Sequence, residues 1–504
     1  MKHIITWLPD SILEAIKSLG EGELVYLVGG AVRDAILDKP RRDFDFVIKG
    51  SVRKKAGKIA EILGGDFYPL DEDRQMMRVL WYPDPGEVIT LDFSGMQGES
   101  IEDDLMNRDF TINSMAVLSI GNEKVIDPCR GAQDLKDRIL RRCRRGSVLD
   151  DPVRALRAVR LAVQMDLSIE PDTIKEINQA AGQLERISAE RIRDELFRLF
   201  DSSNAASAIR ILNHFGMLEK ILPEISFLGE VKQSSPHTMD VLEHSLACIN
   251  RLESILNQLI KTDDQNVAPN LTSAESLLVL GKFQNQIQTH LEKRITADRT
   301  RRALLIFAAL YHDIGKPQTQ TMSEDGNIHF FRHEIIGAKI AAGRLKSLAN
   351  SNHEITQVEK IIRNHMRPNL LRKSQVYLTD RAIYRFFQSC GEEGVEVCLF
   401  SLADMLAKKP GPPDHEEWTA LLEINRKLLD AWYNHREEKI YPQKLIDGQD
   451  LMQTLLIEPG PQVGEILAAI GEGQATGKIR NRRDALIFAR NWEKEKMGKN
   501  GNGS

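Results

Sequence analysis

The chain has 504 residues, too many for one compact core, and its 42% hydrophobic and 28% charged content are ordinary for a water-soluble protein. Five cysteines form no CxxC pair and no run of about 18 apolar residues occurs, which argues against a zinc knuckle, a disulfide framework and a membrane span. A net charge of −5 does not advertise a nucleic-acid partner, although basic clusters stand at 137–146 ("DRILRRCRRG") and 477–483 ("GKIRNRR").

In chain order, "LVYLVGG" reads as a strand, "AVRDAIL" as a helix, "DFDFVI" as a strand and "VRKKAGKIAEIL" as a helix. "MRVLWY" and "EVITLDF" follow as two strands across a "PDPG" turn. From about residue 147 the pattern turns almost entirely helical, beginning with "DPVRALRAVRLAVQM" and "AERIRDELFRLF". Residues 257–276, broken by Pro269, and the Pro-rich 408–418 read as linkers or inserts, and the final "KMGKNGNGS" as disordered. The expected class is α+β, a mixed head followed by a helical remainder. The opening "MKHIITWLPD" has no basic segment leading into a long apolar run, so a reduced, cytoplasmic setting is expected.

The stretch "YLVGGAVRDAILDKPRRDFDFVIKG" holds the first chemistry-bearing group. Side chains alternate along a strand, so Asp43 and Asp45 share one face while Phe44 and Phe46 enter the core. Parallel carboxylates repel each other unless a divalent cation lies between them, and Mg²⁺ favours carboxylate together with phosphate oxygens. Asp92 of "TLDFSG" offers a third carboxylate, a set suited to two-metal phosphoryl transfer. Upstream, Gly29-Gly30 lets backbone amides approach phosphate at a helix N-terminus, and Arg33 lies one turn in. Taken alone, an acidic surface strand and a turn needing small residues explain the same stretch.

A second group is built from sparse histidines: His244, His312 with Asp313 in "YHDIGK", His333, His365, and Asp404 of "LADML". An adjacent His-Asp in an apolar helix is costly to bury without a partner, and a divalent metal with mixed nitrogen and oxygen ligands removes that cost. Lys316 of the same motif is placed to meet phosphate.

These segments occur in a telling order. "LVGGAVRDAIL", "RDFDFVI", "DDLMNRDFTINSMAV", "IDPCRGAQDL", "LDDPVRALRAVRLAVQMDLSIEP" and "ISAERIRDELFRLF" together resemble the class II tRNA nucleotidyltransferase and bacterial poly(A) polymerase family over roughly the first 230 residues. The resemblance implies Asp43 and Asp45 as metal ligands, Gly30 and Arg33 on the triphosphate, and Arg108 with Asp109 on the nucleotide. It further implies a nucleotide-selecting helix carrying Asp151, Arg154, Arg157 and Arg160, whose spacing fits one helical face. An aspartate and an arginine held there would pair with a base edge as a template strand does elsewhere. Two departures stand out: Asp150 where family members usually carry Glu, and Asn107 where they usually carry Arg.

The order H…HD…H…H…D resembles HD-domain phosphohydrolases. By that likeness His244, His312, Asp313 and Asp404 hold one metal (Ni²⁺, Mn²⁺, Fe²⁺ or Zn²⁺), with His333 and His365 serving a second ion or a phosphate. Residues 445–486 resemble the C-terminal helical module of HD-bearing members. The implied domains are a head (1–146), a helical neck (147–230), an HD domain (231–410) and a C-terminal tRNA-binding module (411–504).

The implied activity is Mg²⁺-dependent, template-independent addition of C and/or A to tRNA 3′ ends from CTP and ATP, with no membrane partner. CC-only or A-only addition and a poly(A) polymerase on general RNA use the same head. An HD phosphohydrolase with a nucleotide-sensing head is the reading from another class.

Overall fold

The computed structural model describes residues 7–20, 22–39, 42–72, 75–84, 87–120, 124–234, 238–260, 271–296, 299–374 and 377–492, with the backbone of the last helix followed to Asn500. The chain divides into two compact units, Met1–Ser188 with Ile211–Lys220, and Ala189–Arg210 with Ile221–Ser504. The division falls inside the expected neck, so its first half packs as one body with the head.

The first unit is built on a six-stranded sheet. Its strands are β1 (Val25–Val28), β2 (Asp43–Ile48), β3 (Asp66–Asp71), β4 (Met76–Trp81), β5 (Ile89–Gly95) and β6 (Ala116–Leu118), in the spatial order β3-β4-β5-β2-β1-β6. Only β2 and β5 run parallel, and their register sets Asp45 beside Asp92. Strands β6 and β3 went unread in the sequence, and β3, "DFYPLD", contains Pro69. It lies at the sheet edge with an irregularity between Pro69 and Asp71, where a missing N–H costs no ladder bond.

Helices α1 (Asp10–Lys17), α2 (Gly30–Ile36), α3 (Val52–Leu63), α4 (Ile101–Met106), α5 (Gly131–Lys136) and α6 (Val153–Met165) accompany the sheet. Phe44, Phe46, Ile48, Leu91 and Phe93 join Ile12, Ile16, Ala56 and Ile59 in one core, and Phe46 stacks on Phe93 at 5.1 Å. On the other face, Tyr26, Val28 and Val47 meet Ile101 and Leu105. Because Phe44 and Phe46 anchor β2 from one side, Asp43 and Asp45 are left exposed on the other, as alternation requires. Helix α4 is started by a reciprocal capping box between Ser100 and Asp103.

The second unit is helical apart from short two-stranded pairs such as Gln320–Met322 with Ile328–Phe330. Its centre is helix Gly394–Ala407, buried along its whole length, beside the nearly as buried Arg301–Tyr311. Helices apolar all round belong in such interiors. An ion pair between them is buried with them, Arg301 lying 2.6 Å from Glu396, and Arg301 also lies 2.8 Å from the half-buried Glu392 just before helix Gly394–Ala407.

The expected insert at 257–276 is helical at both flanks, in Val241–Leu259 and Leu271–Leu280, and its centre, 261–270, lies outside the described residues. The Pro-rich boundary falls between helices Gly394–Ala407 and His415–Asn434. At the C-terminus, helix Arg482–Asn500 continues into the stretch expected to be disordered, and 501–504 lie outside the described residues. No helix among the described residues is long and apolar enough to cross a membrane.

Candidate active site and metal centre

In the head, the acid pair opens β2 immediately beside the turn that ends β1. Gly29 occupies that turn at φ +69°, a left-handed conformation that strains any side chain. A Cβ here would lie 3.2 Å from Arg108 Nη1 and 3.5 Å from Asp45 Oδ2. The bare backbone therefore leaves a cradle between a carboxylate and a guanidinium, and α2 begins at the next residue. Exposed paired carboxylates, a nearby arginine and a helix N-terminus suit a magnesium–triphosphate group.

Asp92 stands next to Asp45 in register, yet each of its oxygens accepts a 2.7 Å hydrogen bond from Arg78. Sequence reading missed Arg78, whose place one strand over is visible only once β4 and β5 are paired. Asn113 was missed too. It accepts from Arg33 Nη1 at 2.6 Å and donates to Asp109 Oδ1 at 3.3 Å. Arg33 also holds Asp34 at 2.7 Å, which fixes its guanidinium at the start of α2.

Asp109 is buried, and its carboxylate is occupied on every side: Oδ1 also accepts from Phe110 N at 2.7 Å, and Oδ2 lies 2.9 Å from Arg157 Nη1. Burial works to raise its pKa, but Arg157 outweighs this and holds the carboxyl below its usual range. The result is a relay from Arg33 through Asn113 and Asp109 to Arg157 of α6. Asp151 lies one residue before the α6 N-cap, Pro152, and its carbonyl accepts from Arg154 N at 2.9 Å. Arg154 donates to Ser147 O at 2.8 Å, and Arg160 to Gln164 at 3.1 Å. The two departures noted above meet at one side chain: Arg144 donates to Asn107 Oδ1 at 3.1 Å and to Asp150 Oδ2 at 2.6 Å. Within 137–146, Arg138, Arg141 and Arg142 are likewise matched by acids.

In the helical unit the structure brings His244, His312, Asp313, His333, His365 and Asp404 together. Nδ1 of His312, His333 and His365 each faces the carbonyl three residues earlier, at 2.9, 2.7 and 2.7 Å. That contact assigns the proton to Nδ1 and leaves Nε2 as a lone pair turned inward. His312 Nε2 has no hydrogen-bond partner and lies 3.0 Å from Asp313 Oδ2. His333 Nε2 lies 3.3 Å from Asp313 Oδ1, and His244 Nε2 3.2 Å from Asp404 Oδ1. Lone pairs facing carboxylate oxygens in a buried space repel unless a cation joins them.

The electrostatics agree. Burial works to raise both carboxyls, yet positive charge outweighs it and holds both well below the usual range, from His312 in its protonated form and Lys316 at Asp313 and from Lys408 with His244 at Asp404, so each carboxylate calls for a cation beside it. Burial, with His312 and His333 beside it, pushes His365 down to about 3, so it is neutral and fit to ligate. Donor atoms of His244, Cys248, His312 and Asp404 lie within 4.8 Å of one another, as do those of His312, Asp313 and His365. A cavity of about 330 Å³ opens on the cluster, lined also by Lys316, Asn369 and Lys373. The buried amide of Asn369 has no hydrogen-bond partner for either polar atom, so the cavity holds an unmet donor and acceptor.

Comparison with known proteins follows this division. Residues 25–141 match the poly A polymerase head domain, 166–228 the probable RNA and SrmB-binding site of polymerase A, 273–409 the HD domain, and 415–489 a putative tRNA nucleotidyltransferase domain 2. His244, expected in the cluster from the order of the motifs, lies before the HD match, and its ring stands 3.2 Å from Asp404. Among solved structures, a CCA-adding enzyme with ATP superposes with a TM-score of 0.57 at 18% identity, over 97% of this chain and 98% of that one. The Thermotoga maritima CCA-adding enzyme complexed with tRNA gives 0.53 at 18% identity, over 97% and 98%. The head fold with these matches defines a nucleotidyltransferase.

The chain is 30% identical over 480 residues to the A-adding tRNA nucleotidyltransferase of Deinococcus radiodurans, covering 94% of this chain and 96% of that one. It is 28% identical over 465 residues to the CC-adding tRNA nucleotidyltransferase of Synechocystis sp., covering 92% of each. The chain belongs to the tRNA nucleotidyltransferase family.

Proposed function

We propose that this enzyme extends tRNA 3′ ends without a template, adding C and/or A from CTP and ATP at the Asp43–Asp45 site. The observation that carries this reading is the cradle at Gly29, where Asp45 and Arg108 flank backbone that a side chain would fill. Asp43 and Asp45 hold Mg²⁺, which when bound neutralises triphosphate charge and favours ionisation of the attacking hydroxyl. The α2 N-terminus, Arg33 and Arg108 orient the triphosphate for in-line attack on the α-phosphate, with pyrophosphate leaving. Asp92, held by Arg78, supports the acid pair from the adjacent strand. Asp109 keeps Arg157 in place, and Arg154, Arg157, Arg160 and Asp151 surround the base to be chosen. Helical segments after 147 grip the acceptor stem by shape and backbone, as A-form RNA is usually held.

Full-length relatives include both A-adding and CC-adding enzymes, so the test reads product base by base. Transcripts ending before CCA, after C and after CC are incubated with single nucleotides. Extension of at least one by CMP or AMP is expected, with Asp43→Ala inactive. No extension of any of the three, or preference for a generic oligonucleotide, would overturn the tRNA assignment.

A second reading concerns the HD cluster, favoured by inward lone pairs and an unsatisfied Asn369 beside lysines. This centre binds a divalent transition metal and hydrolyses a phosphate ester. Phosphate release from a 2′,3′-cyclic nucleotide, lost in Asp313→Ala, is expected. Absence of release with Mg²⁺, Mn²⁺ and Ni²⁺ would remove the hydrolytic step.

A further inference from the structure

We infer that Cys248 is a ligand of the ion in the helical unit, completing a sulfur-containing donor set with His244, His312 and Asp404. The inference rests on the reading of the HD cluster as a metal centre. Cys248 was passed over in the sequence because it belongs to no CxxC pair. Its signal was its spacing from His244: four residues later on helix Val241–Leu259, it falls on the same face one turn on.

Three observations carry it. Cys248 is fully buried, and its Sγ lies 3.5 Å from His244 Nε2, the ring atom that faces the cluster. Its Sγ belongs to the group of four donor atoms lying within 4.8 Å of one another, which no other cysteine among the described residues does. And the orientation of the other members leaves room for an ion as the common partner: His312 Nε2 has no hydrogen bond, and His244 Nδ1 is turned away towards Ala407 O at 3.4 Å.

Two imidazole nitrogens, one carboxylate oxygen and one sulfur are the number and kind of donors that tetrahedral zinc takes. Magnesium and manganese favour oxygen, so a thiolate in this place moves selectivity towards zinc, cobalt and other softer ions. On binding, the thiol loses its proton to solvent and the sulfur donates its lone pair to the metal, so no oxidant or reductant is needed. The second set, His312, Asp313 and His365, has only nitrogen and oxygen donors. Because His312 Nε2 has one lone pair, it serves one ion at a time, and the sulfur decides which set an added soft metal occupies.

The test uses the full-length chain stripped of metal and titrated with Co²⁺. Cobalt bound to thiolate gives a sulfur-to-metal charge-transfer band in the near ultraviolet, separate from the visible d–d bands that report any ordered site. The expected result is both bands in the parent protein and in Cys398→Ser, a buried-thiol control, with loss of only the charge-transfer band in Cys248→Ser. Zinc affinity, measured by competition with a chromophoric chelator, should fall at least about tenfold in Cys248→Ser while Mn²⁺ affinity holds within about twofold. Visible bands without charge transfer in the parent, or charge transfer unchanged by Cys248→Ser, would overturn the sulfur ligand while leaving the metal centre standing. Failure of the parent to bind Co²⁺ would overturn both.

Discussion

Gly29 and Gly30 look equivalent in the sequence, but they do different work. Gly29 holds φ +69° between Arg108 and Asp45, while Gly30 opens α2 with no positive φ. Gly29→Ala should therefore lose about 1–2 kcal/mol of stability from the left-handed backbone and lower nucleotide incorporation as Arg108 is displaced. Gly30→Ala, at a helical position, should unfold in urea within about 1 kcal/mol of the parent. Equal destabilisation of the two variants would contradict this account of the cradle. Asp43 and Asp45 were legible in advance because alternation on a strand anchored by Phe44 and Phe46 dictates their face. The sign of φ at a glycine is not written in composition. Nor is the partner of Asp109, which lies 48 residues away at Arg157 and becomes visible only when α6 is docked.

Helix Gly394–Ala407 shows how an ion pair makes one element pH-dependent. Burial works to raise the Glu396 carboxyl, but His290 and Arg301 outweigh it and hold it down at about 2. A carboxyl depressed in the folded state stabilises above its unfolded value, near pH 4.5, and that contribution is lost as pH falls towards 2. Urea midpoints measured from pH 6 to pH 3 should fall more steeply for the parent than for Glu396→Gln, by an amount on the order of a few kcal/mol. At neutral pH the variant should be the weaker by roughly 3–5 kcal/mol, because Arg301 is left short of a buried partner. Parallel pH profiles would contradict the assignment. Helix Asn352–Asn364 offers a local comparison: Ser351 and Glu354 form a capping box and the Ser351 hydroxyl helps hold the Glu354 carboxyl below its usual range, so Ser351→Ala should cost about 1 kcal/mol at pH 6 and less as pH falls. The amphipathic helices were readable from their 3.6-residue period. Edge strand β3 was not, since Pro69 and its polar neighbours are tolerated only because no strand pairs on that side.

Across the chain, the two chemistries lie in separate compact units, the acid pair within Met1–Ser188 and the histidine cluster within Ile221–Ser504. Each should be removable without the other. Asp313→Ala should abolish phosphate release at the helical centre and leave incorporation into tRNA within about twofold, and Asp43→Ala should do the reverse. Folded Asp313→Ala protein unable to extend tRNA would show the two to be coupled. The sequence pattern turns from mixed to helical near residue 147, whereas the compact units divide at Ser188. Composition reports secondary structure, whereas the division at 188 reflects which segments pack into one compact unit. The claim underlying all of this is that Asp43 and Asp45 grip one divalent ion beside an incoming nucleotide. Crystals soaked with Mn²⁺ and a non-hydrolysable CTP or ATP analogue test it directly, through the anomalous signal of manganese. The account predicts a peak about 2.0–2.3 Å from a carboxylate oxygen of each aspartate and touching the triphosphate, and bound nucleotide with no manganese between those two side chains would contradict it.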